Sequence, residues 1–167
     1  RAEGEEEEGG EEAMNGVTVE VCRAVSDELS EAMTRLVPQL SSSAAVPSTD
    51  ALSEIVSTDG TFLLVARDGD RIVGTLTLVT FRIPTGVRAW IEDVAVESQA
   101  RGKGVGEALS REAVRIAASR NARTVELTSR PSREAANRLY RRIGFEPRDT
   151  NVYRYTISEP ADGLSKS

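Results

Sequence analysis

The chain contains no histidine. That excludes catalytic Ser-His and Cys-His pairs and histidine-ligated metal centres, so any chemistry must run on carboxylates, hydroxyls and backbone dipoles. A single cysteine, Cys22, can form neither an intrachain disulfide nor a zinc cage, and no metal site is expected. Aromatic residues are few, with one Trp, three Tyr and three Phe. No apolar run reaches the ~20 residues of a membrane-spanning helix. No secretory signal opens the sequence, and together these absences point to a soluble, cytoplasmic protein without membrane contact. What is present suffices for one domain: 167 residues, 39% hydrophobic and 29% charged, can fill a core.

The net charge of −6 resides in residues 1–13, which hold seven Glu and one Arg. Such a Glu- and Gly-rich run cannot bury apolar surface, so it is expected to be a disordered acidic tail or an extension upstream of a start at Met14. The folded domain is placed at 14–158, followed by a second disordered tail at 159–167. Within the domain the charges separate. Residues 14–100 carry 6 basic and 12 acidic side chains, whereas residues 101–148 carry 12 basic and 5 acidic. Eleven of those 12 are Arg, whose planar fork suits phosphate, although a solvated helix face would use the same residues.

Val17 to Arg23 alternates as a short strand, and Ser26 can cap a helix whose Leu29, Met33, Leu36 and Leu40 share one face. A loop rich in Ser, Ala and Pro covers 41–48, and a short helix follows at Asp50–Val56. Two β-branched runs, Thr61–Ala66 and Ile72–Phe81, flank Asp68-Gly69-Asp70, a hairpin signal. A turn at Pro84-Thr85-Gly86 leads to a third run, Val87–Val96. Gly104–Arg120 reads as a helix with Leu109, Ala113, Ile116 and Ala117 inward. Thr124–Thr128 reads as a strand, Ser132–Ile143 as a helix stopped by Gly144, and Val152–Ile157 as a last strand. Meandering strands followed by a βαβ unit predict a layered α/β (α+β) domain. Its sheet is mixed, six- to seven-stranded, and covered by helices on both faces.

The most informative segment is Arg101-Gly102-Lys103-Gly104-Val105-Gly106, between a strand and an amphipathic helix. Closely spaced glycines let successive backbone N–H groups converge, and the helix N-terminus adds its unpaired donors and positive dipole end. The arrangement suits a phosphate or pyrophosphate. It is not a Walker A loop, because Glu97 and Gly104 break that pattern, and Glu107 replaces the third glycine of a dinucleotide fingerprint.

The pattern Arg101-x-x-Gly104-x-Gly106 after Ile91–Val96 resembles the acyl-CoA-binding loop of the GNAT acyltransferase superfamily. The segment Ala136-Asn137-Arg138-Leu139-Tyr140-Arg141-Arg142-Ile143-Gly144-Phe145 is similar to the helix end that follows it in that superfamily. The element order agrees from Val17 to Ile157, and Ile91–Val96 also resembles glucosamine-6-phosphate N-acetyltransferases. The resemblance implies a single GNAT-like domain that uses acetyl-CoA as co-substrate and acetylates a primary amine in a ternary complex. A homodimer is a habit of the family.

The resemblance also assigns roles. The backbone of Val94, Ala95 and Val96 would bond the pantetheine amides like an added strand. The N–H groups of Arg101, Gly102, Lys103, Gly104, Val105 and Gly106 would hold the pyrophosphate. Arg101, Lys103 or another Arg of the basic half would meet the 3′-phosphate. Tyr140 is the candidate general acid for the departing thiolate, against a packing role on the same helical stripe. The base must be a carboxylate, directly or through water. Glu92 and Asp93 alternate on one strand, so one of them lines the cleft; Glu92 is the choice, with Trp90 on its side. Many relatives carry an Asn at the position of Arg133, and here Asn137 is the nearest candidate for that coenzyme A contact.

Two other readings compete. A non-catalytic acyl-CoA-binding sensor would bind the same ligand without turnover. A nucleic-acid-binding domain would show exposed aromatics among its Arg residues, but 101–148 holds only Tyr140 and Phe145, so no nucleic-acid partner is expected. The amine is not legible. Asp27, Glu28, Glu31, Asp50 and Glu54, in the region expected to border the acceptor, suit a cation and equally suit ordinary solvated helices.

Overall fold

The computed structural model describes residues 16–41 and 43–157. The tails expected at 1–13 and 159–167, and Met14, lie outside the described residues. Among the described residues, five strands and four α-helices follow one another as β1 (Val17–Val21), α1 (Asp27–Leu36), α2 (Thr49–Ser57), β2 (Thr61–Asp68), β3 (Arg71–Ile83), β4 (Gly86–Val96), α3 (Val105–Ser119), β5 (Ala122–Glu126) and α4 (Glu134–Arg142). Local chemistry sets several boundaries. Ser26 Oγ accepts the Leu29 N–H at 3.1 Å to start α1, and Ser48 Oγ accepts the Ala51 N–H at 3.2 Å to start α2. Gly69, with φ +60°, turns the β2–β3 hairpin.

The strands form one sheet in the order β1-β2-β3-β4-β5, antiparallel through β4, with β4 and β5 parallel. Its two faces carry separate cores. On one, α3 buries Leu109, Ala113, Ile116 and Ala117 against Leu64, Leu76, Leu78, Ala89 and Ile91. On the other, α1 and α2 bury Leu29, Met33, Leu36 and Leu52 against Leu63, Val65, Ile72 and Ala95. At roughly 1.5–3 kcal/mol for each large apolar side chain removed from water, these layers hold the helices on the sheet. Gly74 marks their closest approach: a Cβ there would meet Val105 Cγ1 at 2.7 Å.

The sheet is smaller than the sequence predicts. Among the described residues it has five strands rather than six or seven, and Val152–Ile157 is not a strand. That segment has the alternating β-branched and aromatic pattern, but pattern makes a strand only where a ladder partner and an apolar layer are available. Tyr153 and Tyr155 are 88% and 91% exposed, with neither.

Two irregularities in β4 shape what lies beside it. The β4–β5 ladder runs Val87↔Ala122, Ala89↔Val125 and Trp90↔Glu126 and stops, while β4 continues to Val96. The strands therefore part after Trp90, opening a gap. The β3–β4 register also shifts between Thr75↔Ala95 and Thr77↔Glu92, where Asp93 adopts φ +52°. This is a bulge, and Asp is among the few side chains that tolerate the left-handed region.

Candidate functional site

Beside the end of β4 that lies beyond the β5 ladder is a cleft of about 860 Å³ on the α3 and α4 side of the sheet. Its floor is Val94, Ala95 and Val96, one end is the loop at Arg101–Gly106, and the opposite wall is the segment from Ser132 through α4 to Tyr140. Gly104 caps α3 in a left-handed conformation, φ +85°, which a side chain would strain. This turn leaves the N–H groups of Gly102, Gly104, Val105 and Gly106 without an acceptor among the described residues. They are the orphan donors of a helix start and point where an anion can meet them. Gly106 faces Leu139: a Cβ there would come within 3.3 Å of Leu139 Cδ2 and fill the cradle. Arg101, Arg133, Arg138 and Arg142 border the same cleft.

Ion pairs fix the cleft walls. Glu107 in the first turn of α3 accepts from Arg111 at 2.8 Å and from Arg142 of α4 at 2.6 Å, joining the two helices beside the loop. The hydrogen bonds from Arg142 and Arg111 hold the Glu107 carboxyl below the usual carboxylate range. At the other end of the loop, the buried Glu97 accepts from Arg35 of α1 at 2.7 Å and from Arg71 of β3 at 3.1 Å. Burial pushes its carboxyl up, but these two guanidinium groups outweigh that and leave it lowered. Arg101 donates to Gln39 Oε1 at 3.1 Å, a second tie from the α1 end to the loop.

Tyr140 borders both this cleft and a second one of about 670 Å³ beside β5. It is buried, and its ring meets Phe145 edge-on at 5.8 Å between centroids. Burial raises the phenol above its ordinary value, partly opposed by the charge of Arg133. It is therefore protonated at neutral pH and can donate.

Of the residues singled out from the sequence, Val94, Ala95, Val96, Arg101, Gly102, Gly104, Val105, Gly106 and Tyr140 converge on the first cleft. Lys103 turns away and pairs with Asp68 at 3.0 Å. Asn137 borders the second cleft, with its Nδ2 donating to the Arg130 carbonyl at 2.9 Å. Glu92 and Asp93 are exposed on β4, and Glu92 Oε1 accepts the Trp90 indole N–H at 2.7 Å. Sequence reasoning did not single out Arg138, Arg142 or Gln39. Only the overall Arg excess of 101–148 signalled the first two, and nothing local signalled Gln39. Cys22 is no nucleophile: burial, with the nearby charge of Glu20, pushes its thiol up to about 11.

A family profile described as "Acetyltransferase (GNAT) family" matches residues 24–145. The chain belongs to this family. Over 98 residues it is 30% identical to N-alpha-acetyltransferase 30 of Schizosaccharomyces pombe, a match covering 58% of this chain and 65% of that protein's length. Two solved structures share the fold. An aminoglycoside acetyltransferase from an uncultured soil metagenomic sample superposes with a TM-score of 0.74 at 19% identity, covering 87% of this chain and 98% of that one. The glucosamine-6-phosphate N-acetyltransferase of Arabidopsis thaliana superposes with a TM-score of 0.69 at 20% identity, covering 83% and 98%. Among the described residues no helix is long and apolar enough to cross a membrane, and no cluster of His, Cys, Asp or Glu could hold a metal ion.

Proposed function

We propose that this GNAT protein is an N-acetyltransferase that moves the acetyl group of acetyl-CoA to a primary amine by direct attack in a ternary complex. The observation that carries the reading is the convergence of three features on one cleft: free N–H groups at the start of α3, the unpaired stretch of β4 at the gap, and the buried Tyr140. The residues fit the co-substrate. The pyrophosphate would take the N–H groups of Gly102, Gly104, Val105 and Gly106, with Arg101, Arg133 and Arg138 supplying positive charge. The pantetheine arm would lie along Val94–Val96, placing the thioester near Tyr140.

The chemistry follows from groups in place. The acceptor ammonium gives a proton to a carboxylate on β4, with Glu92 the candidate, directly or through water. The freed lone pair attacks the thioester carbonyl, a C–N bond forms, and the C–S bond breaks as the tetrahedral intermediate collapses. The departing sulfur takes the Tyr140 proton, and the second proton that the nitrogen sheds on becoming an amide returns to Tyr140 through water. No covalent acyl-enzyme is required, in keeping with the protonated Cys22.

A screen of primary amines with acetyl-CoA, following release of the free thiol, tests the reading. Amine-dependent thiol release with acetylated product supports it. Binding of acetyl-CoA without turnover of any amine would make the protein a sensor instead.

A further inference from the structure

Resting on the acetyltransferase reading above, we propose that the uncovered end of the sheet face carrying Trp90 and Glu92 is the acceptor platform. We infer that it selects a primary amine whose ammonium is joined by a short linker to an apolar or aromatic body. Helices α1 and α2 cover this face only over Leu63, Val65, Ile72 and Ala95. Beyond them, among the described residues, the same face continues along β3 and β4, where Thr77, Val79, Arg88 and Trp90 are half-buried and the register sets Thr77 opposite Glu92, Val79 opposite Trp90 and Phe81 opposite Arg88. Water-facing positions of an antiparallel sheet are ordinarily polar. Here Phe81 and Ile83 are 42% and 38% exposed and extend the surface begun by Val79 and Trp90. Apolar side chains left exposed on a sheet face that runs up to the gap are the character of a ligand site.

The charge on this surface is specific. Glu92 commits one carboxylate oxygen to the Trp90 indole and keeps the other for a ligand. Among the described residues neither Glu92 nor Asp93 has an ion-pair partner, so the negative charge beside the gap is uncompensated. Arg88, on the same face, turns to the β3–β4 turn, where it donates to Thr85 Oγ1 at 3.3 Å and the Val87 carbonyl at 3.5 Å. Glu126, beside Trp90 on β5, is already paired with Arg148 at 2.8 Å, so a single ammonium is drawn to Glu92, assisted by the indole face. Glu92 stands two residues past the last β4–β5 pair, so that ammonium would rest at the mouth of the gap. The body of the amine then lies over Trp90, Val79 and Phe81.

Trp90 is the only tryptophan in the chain, so its emission reports directly on this surface. The test titrates the full-length protein, saturated with coenzyme A, with three matched probes. These are phenethylamine (ammonium and body), ethylamine (ammonium alone) and 2-phenylethanol (body alone). Excitation is set where the phenyl ring does not absorb. Phenethylamine is expected to change the Trp90 emission saturably, with affinity at least tenfold above either partial probe. Glu92→Gln should erase most of its advantage over 2-phenylethanol, and Phe81→Ser its advantage over ethylamine, while coenzyme A affinity stays within twofold. Unchanged emission, a partial probe binding as well as phenethylamine, or variants that leave the ranking intact would overturn the proposal. Failure of the acetyltransferase reading would show differently, as loss of coenzyme A binding or absence of thiol release with every amine.

Discussion

On the α3 and α4 side of the gap, the proposed ligand meets mostly backbone: N–H groups freed by Gly104 and a length of β4 with no ladder partner on its β5 side, with guanidinium groups around the rim. On the α1 and α2 side the chain offers side chains, the indole of Trp90, the ring of Phe81 and the carboxylate of Glu92. Backbone recognition suits a ligand that never changes, because the same atoms are presented whatever residues surround them. Side-chain recognition suits a ligand that differs between relatives, since one substitution alters it. The two sides meet at Glu97, which follows β4 and is held by Arg35 of α1 and Arg71 of β3.

The largest effect is expected at Tyr140, at the end of the cleft proposed for acetyl-CoA. Tyr140→Phe keeps the ring and its contact with Phe145 but removes the proton donor. The expected loss in kcat is ~10²–10⁴-fold with the acetyl-CoA dissociation constant unchanged. Steady-state turnover beside a calorimetric titration checks this. A change in kcat of less than threefold would leave thiolate protonation to water and assign Tyr140 to packing.

Glu97 tests the joint between the sides. Glu97→Ala strands two guanidinium groups around an emptied, buried position, at a cost of about 2 kcal/mol once their partial exposure is allowed for. That corresponds to ~4–8 °C in a melting curve for a chain of this size. The pH dependence carries a sign. Because the Glu97 carboxyl is lowered in the folded state, its contribution is complete above the ordinary carboxylate range and is lost as pH falls through the folded value. Glu97→Gln should therefore flatten the acid side of the stability profile, and parallel profiles for the two proteins would contradict the assignment.

Gly106→Val tests the donor side alone. Its side chain would fill the cradle against Leu139, and acetyl-CoA affinity should fall at least tenfold, about 1.4 kcal/mol. Equal affinity in a folded variant would place the pyrophosphate elsewhere. The smallest effect is expected at Cys22. With its thiol pushed up to about 11, Cys22→Ala should leave kcat within twofold, measured as thiol release.

The same contrast explains what could be read from the sequence. The side proposed for the donor was legible because its candidate residues are contiguous: the Gly spacing of 101–106 and the helix end around Tyr140 appear in order along the chain. Ser26, Asp68-Gly69-Asp70 and the inward stripe of α3 marked their elements for the same reason. The acceptor side depends on register. Strand parity put Trp90 and Glu92 on one side, but only the β3–β4 pairing reveals that Val79 and Phe81 join them. Asp93 shows where alternation fails, since a bulge with φ +52° interrupts it. The pairing of Lys103 with Asp68 crosses from the loop to β2, and no local signal announced it. Val152–Ile157 misled for the opposite reason: its local pattern was that of a strand, and no partner stood beside it.

The crystal structure of the complex with acetyl-CoA is the most direct test, because Tyr140 borders two clefts and only one of them has the cradle. The pyrophosphate should lie within hydrogen-bond distance of the N–H groups of Gly102, Gly104, Val105 and Gly106. The pantetheine amides should pair with Val94–Val96, and the thioester sulfur should face the Tyr140 hydroxyl. Acetyl-CoA seated in the second cleft, beside β5 and Asn137 with the Gly104 loop empty, would contradict this arrangement.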